Sequence, residues 1–201
     1  MLAAIVLAAG ESKRMGFPKA LLPYPGVEGR DTTFLEHLLE VFARSKAEPI
    51  LAVLGHEAER IEKAVAWGRA RPVVNARYRE GMLSSLQAGL HALDENTVLG
   101  ALVVPVDHPD IGPEIVDRLI STFDETRRVI VLPVYQGRRG HPVLFSREVF
   151  DEIRRAPETV GARQVVWDHE KDLLEVEVSD PGIARDVDTP GDYRTFREDR
   201  S

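Results

Sequence analysis

The 201-residue sequence contains no cysteine, which excludes disulfides, thiolate metal sites and a cysteine nucleophile. No apolar run approaches the ~18 residues of a membrane span. Met1 leads directly into strand-like sequence, without a basic segment, a longer apolar stretch and a small-residue cleavage site. Neither a membrane protein nor a secreted one is therefore expected, and a cytoplasmic location is. Cations are the minority charge, with 26 Lys and Arg against 33 Asp and Glu, giving a net charge of −7 and a pI near 5.4. Proteins that bind polyanions concentrate Lys and Arg on one face, so a nucleic-acid surface is not expected. With 43% hydrophobic and 29% charged residues, the chain suits one soluble domain over 1–201.

Against that acidic background, one stretch near the start gathers cations. Leu2 to Ala9 is uncharged and aliphatic, as a parallel strand covered on both faces would be. The chain then turns on Gly10 and presents Lys13, Arg14 and Lys19, with Gly16 and Pro18 between them. Backbone N–H groups and cationic side chains can converge there on a polyphosphate at the strand's carboxyl end. A solvated basic loop is the plainer alternative. The stretch is not a P-loop, because no Gly-Lys-Ser/Thr follows Gly10. It is not a dinucleotide fingerprint either, because Ser12 stands where the second glycine should be.

Further along, strand and helix patterns alternate. Ala20 to Arg30, with Pro23, Pro25, Gly26 and Gly29, reads as an irregular loop. Thr33 and Glu36 have capping-box spacing ahead of a helix running to about Ser45. Pro49 to Leu54 reads as a strand, Glu57 to Trp67 as a charged helix, and Arg71 to Asn75 as a short strand. Gly81 to Leu90 then opens a helix with Ser84 and Ser85, and Gly100 to Asp107 is an apolar strand delivering a carboxylate at its end. This alternation implies right-handed crossovers between parallel strands, hence an α/β protein of three layers, Rossmann-like, with a mostly parallel sheet and its site at the strands' carboxyl ends.

Asp107 is either a turn former before His108-Pro109 or a ligand for a divalent cation, which would offset the cost of placing its charge in the crevice. Gly112-Pro113 opens another helix. Val129 to Tyr135 and Pro142 to Phe145 read as a strand pair around a basic loop whose Arg138 and Arg139 either grip an acceptor phosphate or form a solvated tip. His141 either orients the acceptor or is a packed turn histidine. Helical stretches follow over Arg147 to Arg155 and Gly161 to His169, then an edge strand over Leu173 to Val178. Asp186 and Asp188 bracket Val187 on one face of an extended segment before Thr189-Pro190 begins a last helix; the plainer alternative for Asp188 is a cap of that helix, which is compatible with ligation.

The order Leu7-Ala8-Ala9-Gly10, a small residue, Arg14-Met15-Gly16 and Lys19 resembles the opening signature of the nucleotidyltransferases. Gly140-His141-Pro142-Val143-Leu144-Phe145 resembles the subgroup that makes molybdenum cofactor nucleotides. Together with Gly81 to Ser85 and the Asp186-Val187-Asp188-Thr189-Pro190 segment, these identify the chain as similar to the MobA-like nucleotidyltransferase family over nearly its whole length. The resemblance implies a Mg²⁺-dependent transfer of a nucleotidyl group from a nucleoside triphosphate to a phosphorylated acceptor, with release of pyrophosphate. It implies that Leu7, Ala8, Ala9 and Gly10 with Gly81, Ser84 and Ser85 hold the nucleobase, that Asn75 adds a polar contact, and that Arg14 and Lys19 grip the triphosphate. Lys13 is a bystander in this scheme. Asp107 and Asp188 would hold the metal, and Arg138, Arg139 and His141 the acceptor. Ala9, where guanylyltransferases of the subgroup tend to carry glycine, points to CTP as donor and molybdopterin as acceptor, with a molybdoenzyme or its chaperone downstream. The alternatives are a guanylyl or sugar-phosphate transferase of the same fold, or a non-catalytic nucleotide-binding protein that delivers the cofactor.

Overall fold

A computed structural model describes residues 1–25, 32–94, 96–157 and 161–200. Its centre is β1 (Leu2–Ala8), every residue of which is buried. β1 pairs in parallel with β4 (Ile50–Leu54) on one side and with β6 (Gly100–Pro105) on the other. β5 (Arg71–Val74) extends the β4 side in parallel. On the β6 side, β9 (Val143–Ser146) is antiparallel to both β6 and β7 (Ile130–Tyr135), and β10 (Leu173–Glu177) closes that edge parallel to β7. The strand order is β10-β7-β9-β6-β1-β4-β5, with β8 (Arg138–Arg139) folded back on β7. The expected mostly parallel sheet is present, and the expected strand pair around the basic loop is its antiparallel insertion.

Alternate residues of β1 feed two cores, as period-2 geometry requires. Ala4, Val6 and Ala8 face α1 (Phe34–Ala43), α4 (Pro113–Thr126) and α7 (Pro190–Glu198), whereas Ala3, Ile5 and Leu7 face α3 (Met82–His91), α5 (Phe150–Arg155) and α6 (Ala162–Asp168). The result is three layers, α/β/α. Among the described residues, no helix is long and apolar enough to cross a membrane.

Several local expectations change. Between Lys19 and Thr33 the chain is more regular than its prolines and glycines suggested: Lys19–Leu21 is a 3-10 turn, and β2 (Pro23–Tyr24) pairs with β3 (Thr32–Thr33). Residues 26–31 of that expected loop lie outside the described residues. The Thr33–Glu36 capping box is present in full. The charged helix after β4 is shorter than expected, α2 (Ala58–Ala64), because Val65 is already extended. Arg147–Val149 is a 3-10 turn leading into α5 rather than α-helix. The last helix is capped by Thr189, whose hydroxyl accepts from the Asp192 amide, so Asp188 is not the cap.

Phe34 couples this scaffold to the C-terminus. It is fully buried, and its ring meets Tyr24, Tyr193 and Phe196, the last at a 5.3 Å centroid distance. Phe34→Ala would leave a cavity under both α1 and α7. We expect it to lower the unfolding free energy by about 3–5 kcal/mol, measured by urea denaturation.

Candidate active site

β1 is the point where the strand order reverses: the chain proceeds from β1 to β4 and β5 on one side and returns to β6 on the other. Loops leaving the carboxyl ends of β1 and β6 diverge there and open a crevice. After β1, Ser12 takes a left-handed conformation (φ 51°), and its carbonyl accepts from the Met15 and Gly16 amides at 3.0 and 2.9 Å. The Ser12 hydroxyl accepts from the Lys19 amide at 3.1 Å, folding the loop back and burying the Lys19 stem. Ser12 was legible only as the small residue of the opening pattern, and its part in placing Lys19 was not.

Three distant segments meet at the Lys19 ammonium. Its Nζ donates to Asp107 Oδ2 at 2.8 Å and to Asp188 Oδ1 at 2.5 Å. Arg14 lies 2.8 Å from the other oxygen of Asp188. Burial works against the Lys19 charge, but the hydrogen bonds and charges of Asp107 and then Asp188 outweigh it and raise the Lys19 pKa. The hydrogen bond from Lys19, opposed by burial and helped by Arg14, holds Asp188 below the usual carboxylate range. Lys13, 80% exposed, turns instead to Glu11.

Asp188 arrives on a strap running from a 3-10 turn at Pro181–Ala184. The His141 amide donates to the Ile183 carbonyl, and the Val187 amide donates to the Asp107 carbonyl, both at 2.9 Å. A Cβ on Gly140 would lie 2.3 Å from the Ile183 carbonyl oxygen, so only glycine allows this approach. The Gly140-His141 segment thus holds the strap in register. The His141 ring lies 4.4 Å from that of His108, and both Nδ1 atoms are buried without partners among the described residues. Burial, followed by the neighbouring His108, pushes the His141 pKa down to about 3, and burial likewise lowers that of His108. Burial thus favours the neutral form of both rings.

Two clefts flank the charged centre. One, of about 320 Å³, is lined by Leu7, Ala8, Ala9, Gly10, Arg14 and Lys19, and across from them by Tyr78, Gly81 and Ser85. Asn75 and Ser84 stand behind it. The Asn75 amide donates to the Ser84 and Ser85 hydroxyls at 2.9 and 3.1 Å, and Ser84 donates back to the Gly81 carbonyl. Tyr78 was not expected in the site; it precedes Gly81 in a turn that no periodicity marks. The second cleft, of about 690 Å³, is lined by Arg138, Arg139, Gly140 and His141 together with Arg163 and the exposed Trp167. Arg139 is ion-paired with Glu170 and Glu175, the latter at 2.6 Å, and both Arg138 and Arg139 are exposed. Leu7, Met82, Pro105 and Asp107 line both clefts, so the two meet at Asp107, beside Asp188 on the wall of the first.

The donor chemistry around Asp107 and Asp188 suits a hard divalent cation. Both groups offer oxygen, and both are close enough to share one ammonium nitrogen. Among the described residues, no cluster of three or more His, Cys, Asp or Glu forms a complete protein cage. Two carboxylates with the other positions left to phosphate and water are what Mg²⁺ usually takes.

Residues 4–173 match the family model described as the MobA-like NTP transferase domain. A molybdenum cofactor cytidylyltransferase of Escherichia coli (strain K12) is 26% identical, over 96% of this chain and 94% of that protein. A probable molybdenum cofactor guanylyltransferase of Mycobacterium avium (strain 104) is 30% identical, over 100% of this chain and 97% of that protein. The crystal structure of Rv0371c from Mycobacterium tuberculosis H37Rv in complex with manganese is 30% identical, with a TM-score of 0.80 and 98% of each chain covered.

Two outcomes follow from this geometry. Gly140→Ala should push the strap and Asp188 outward, lowering the melting temperature in a thermal scan; a misplacement of about 1 Å costs turnover on the order of 10²-fold. The Asp188 pKa is depressed from 3.8, so its stabilisation is present above that value and lost as pH falls through the lower folded value. Asp188→Asn should therefore flatten the decline of the denaturation midpoint expected of the native chain below about pH 4.

Proposed function

The chain belongs to the MobA-like NTP transferase family, and we propose that it transfers a cytidylyl group from CTP to the phosphate of molybdopterin with the aid of Mg²⁺, releasing pyrophosphate. The observation that carries this reading is the position of Asp107, Lys19 and Asp188 where a cleft lined by the opening loop meets a second, larger cleft. A nucleoside triphosphate in the first cleft would place its phosphates against Arg14 and Lys19. An acceptor in the second would reach the α-phosphorus past Asp107.

In the reaction an acceptor phosphate oxygen forms a bond to the α-phosphorus, the bond from that phosphorus to the bridging β-oxygen breaks, and pyrophosphate leaves with the electron pair. No protein nucleophile is required. The Ala8 to Gly10 backbone, Gly81 and Ser85 hold the nucleobase, with Asn75 and Ser84 keeping the Gly81–Ser85 turn in place. Arg14 and Lys19 bind and orient the triphosphate, and Asp107 and Asp188 hold the cation. Held by these two carboxylates, a divalent cation would supply neutralisation of charge on the donor and on the leaving pyrophosphate. The His108–His141 pair, with Arg138 and Arg163, lines the acceptor side.

CTP is favoured because Ala9, which lines the cleft, stands where guanylyltransferases of the subgroup tend to carry glycine. GTP is the second reading, favoured by the guanylyltransferase relative at 30% identity. Pyrophosphate release measured with CTP and with GTP, in the presence of molybdopterin, separates the two: the CTP reading requires the higher kcat/KM with CTP. Asp107→Ala should lower turnover by about 10²–10³-fold with the circular dichroism spectrum unchanged. Normal Mg²⁺-dependent turnover in that variant overturns the assignment.

A further inference from the structure

The Lys19 ammonium stands where a cation shared by Asp107 and Asp188 would stand. It is 2.8 and 2.5 Å from one oxygen of each carboxylate, and its side chain is only 10% exposed. Mg²⁺ takes oxygen ligands at about 2.0–2.1 Å, so an ion bound to these oxygens and the ammonium claim the same space and the same lone pairs. Charge argues the same way. Asp107 and Asp188 are already matched by Lys19 and Arg14, and a lone dication would enter a neutral cluster beside two cations. A triphosphate changes both conditions, because it gives Lys19 and Arg14 a new anionic partner and exposes the carboxylates.

We propose that Lys19 is a resident cation that keeps the carboxylate pair closed to metal until a nucleoside triphosphate draws it away, so that metal affinity is created by nucleotide binding. The proposal rests on the reading of Asp107 and Asp188 as metal-holding groups. It adds a second role for Lys19, opposite in sign to the first: the side chain favours nucleotide and opposes metal. The fold supports such a switch, since the Lys19 backbone is fixed by the Ser12 hydroxyl while, among the described residues, its ammonium is hydrogen-bonded to the two carboxylates alone.

The test is Mn²⁺ binding to the nucleotide-free protein, followed by the electron paramagnetic resonance of the free ion. Lys19→Met should bind Mn²⁺ at least about tenfold more tightly than the native chain, the mark of one opposing charge removed at close range. Adding Asp107→Asn to Lys19→Met should erase the gain, and Lys19→Met should bind CTP and GTP more weakly. A folded Lys19→Met protein that binds Mn²⁺ no more tightly than the native chain overturns the proposal. Should that variant fail to fold, the ¹⁵N resonance of the Lys19 ammonium in the native protein gives the answer. It should be unmoved by Mg²⁺ alone and shift with Mg²⁺ plus CTP or GTP, and a shift with Mg²⁺ alone overturns the proposal. The underlying metal reading fails differently: Asp107→Asn would then bind Mn²⁺ as tightly as the native chain in the presence of nucleotide, whatever Lys19 does.

Discussion

One ammonium group joins parts of the chain that are 88 and 169 residues apart in sequence. The Lys19 contact with Asp107 and Asp188 is the constraint on which the remaining features depend. Without it, two carboxylates would face each other in a partly buried crevice, where unpaired charge is costly. Against the acidic balance of the whole chain, the opening loop gathers a local excess of cations beside the two carboxylates. Arg14 and Lys19 supply that excess, and Lys13 does not, being turned away to Glu11.

The scaffold holds the three partners by unlike means. Asp107 follows directly from a fully buried strand and is fixed by the sheet. Lys19 is fixed by a loop whose closure depends on one hydroxyl and one left-handed residue, both belonging to Ser12. Asp188 has no regular element of its own. It is positioned by α7, which begins two residues later under the Phe34 aromatic cluster, and by the strap that Gly140 and His141 hold from the other side. The Gly140-His141 segment therefore acts at least partly through Asp188.

Much of this was legible in sequence, and for identifiable reasons. Strands with continuous aliphatic runs, such as Leu2–Ala8 and Gly100–Pro105, announce their burial, and Thr33 with Glu36 announces a helix start by a local rule. The opening loop, Asp107 and Gly81 to Ser85 were visible because each follows a strand or opens a helix. Contacts between distant segments were not. Nothing local separates Asn75 and Ser84, which stand behind the cleft wall, from Ser85, which forms it. The pairing of Arg139 with Glu170 and Glu175 depends on β8 folding back on β7, the strand that also pairs with β10, and the short hairpin of Pro23–Tyr24 with Thr32–Thr33 depends on partners that its turn residues conceal. Asp188 read as a helix cap because Asp before Thr-Pro is a common cap, yet Thr189 won that role through its reciprocal bonds with Asp192.

Among the described residues, the two clefts share Leu7, Met82, Pro105 and Asp107, so most of the wall of each belongs to it alone. The first is built from the β1 loop and the start of α3, the second from β7, β8, β9 and α6. A substitution at Ala9 or Ser85 can alter the space for a base without moving a residue of the second cleft, and a change at Arg138 or Trp167 can alter the other without touching the first. The charged centre has no such freedom, because Lys19, Asp107 and Asp188 satisfy one another and a change in any one leaves a charge unmatched. On the proposed function, a fold divided in this way can vary its donor and its acceptor separately while its electrostatic centre stays fixed. That division gives a physical basis for cytidylyl- and guanylyltransferases to stand together among the relatives of this chain.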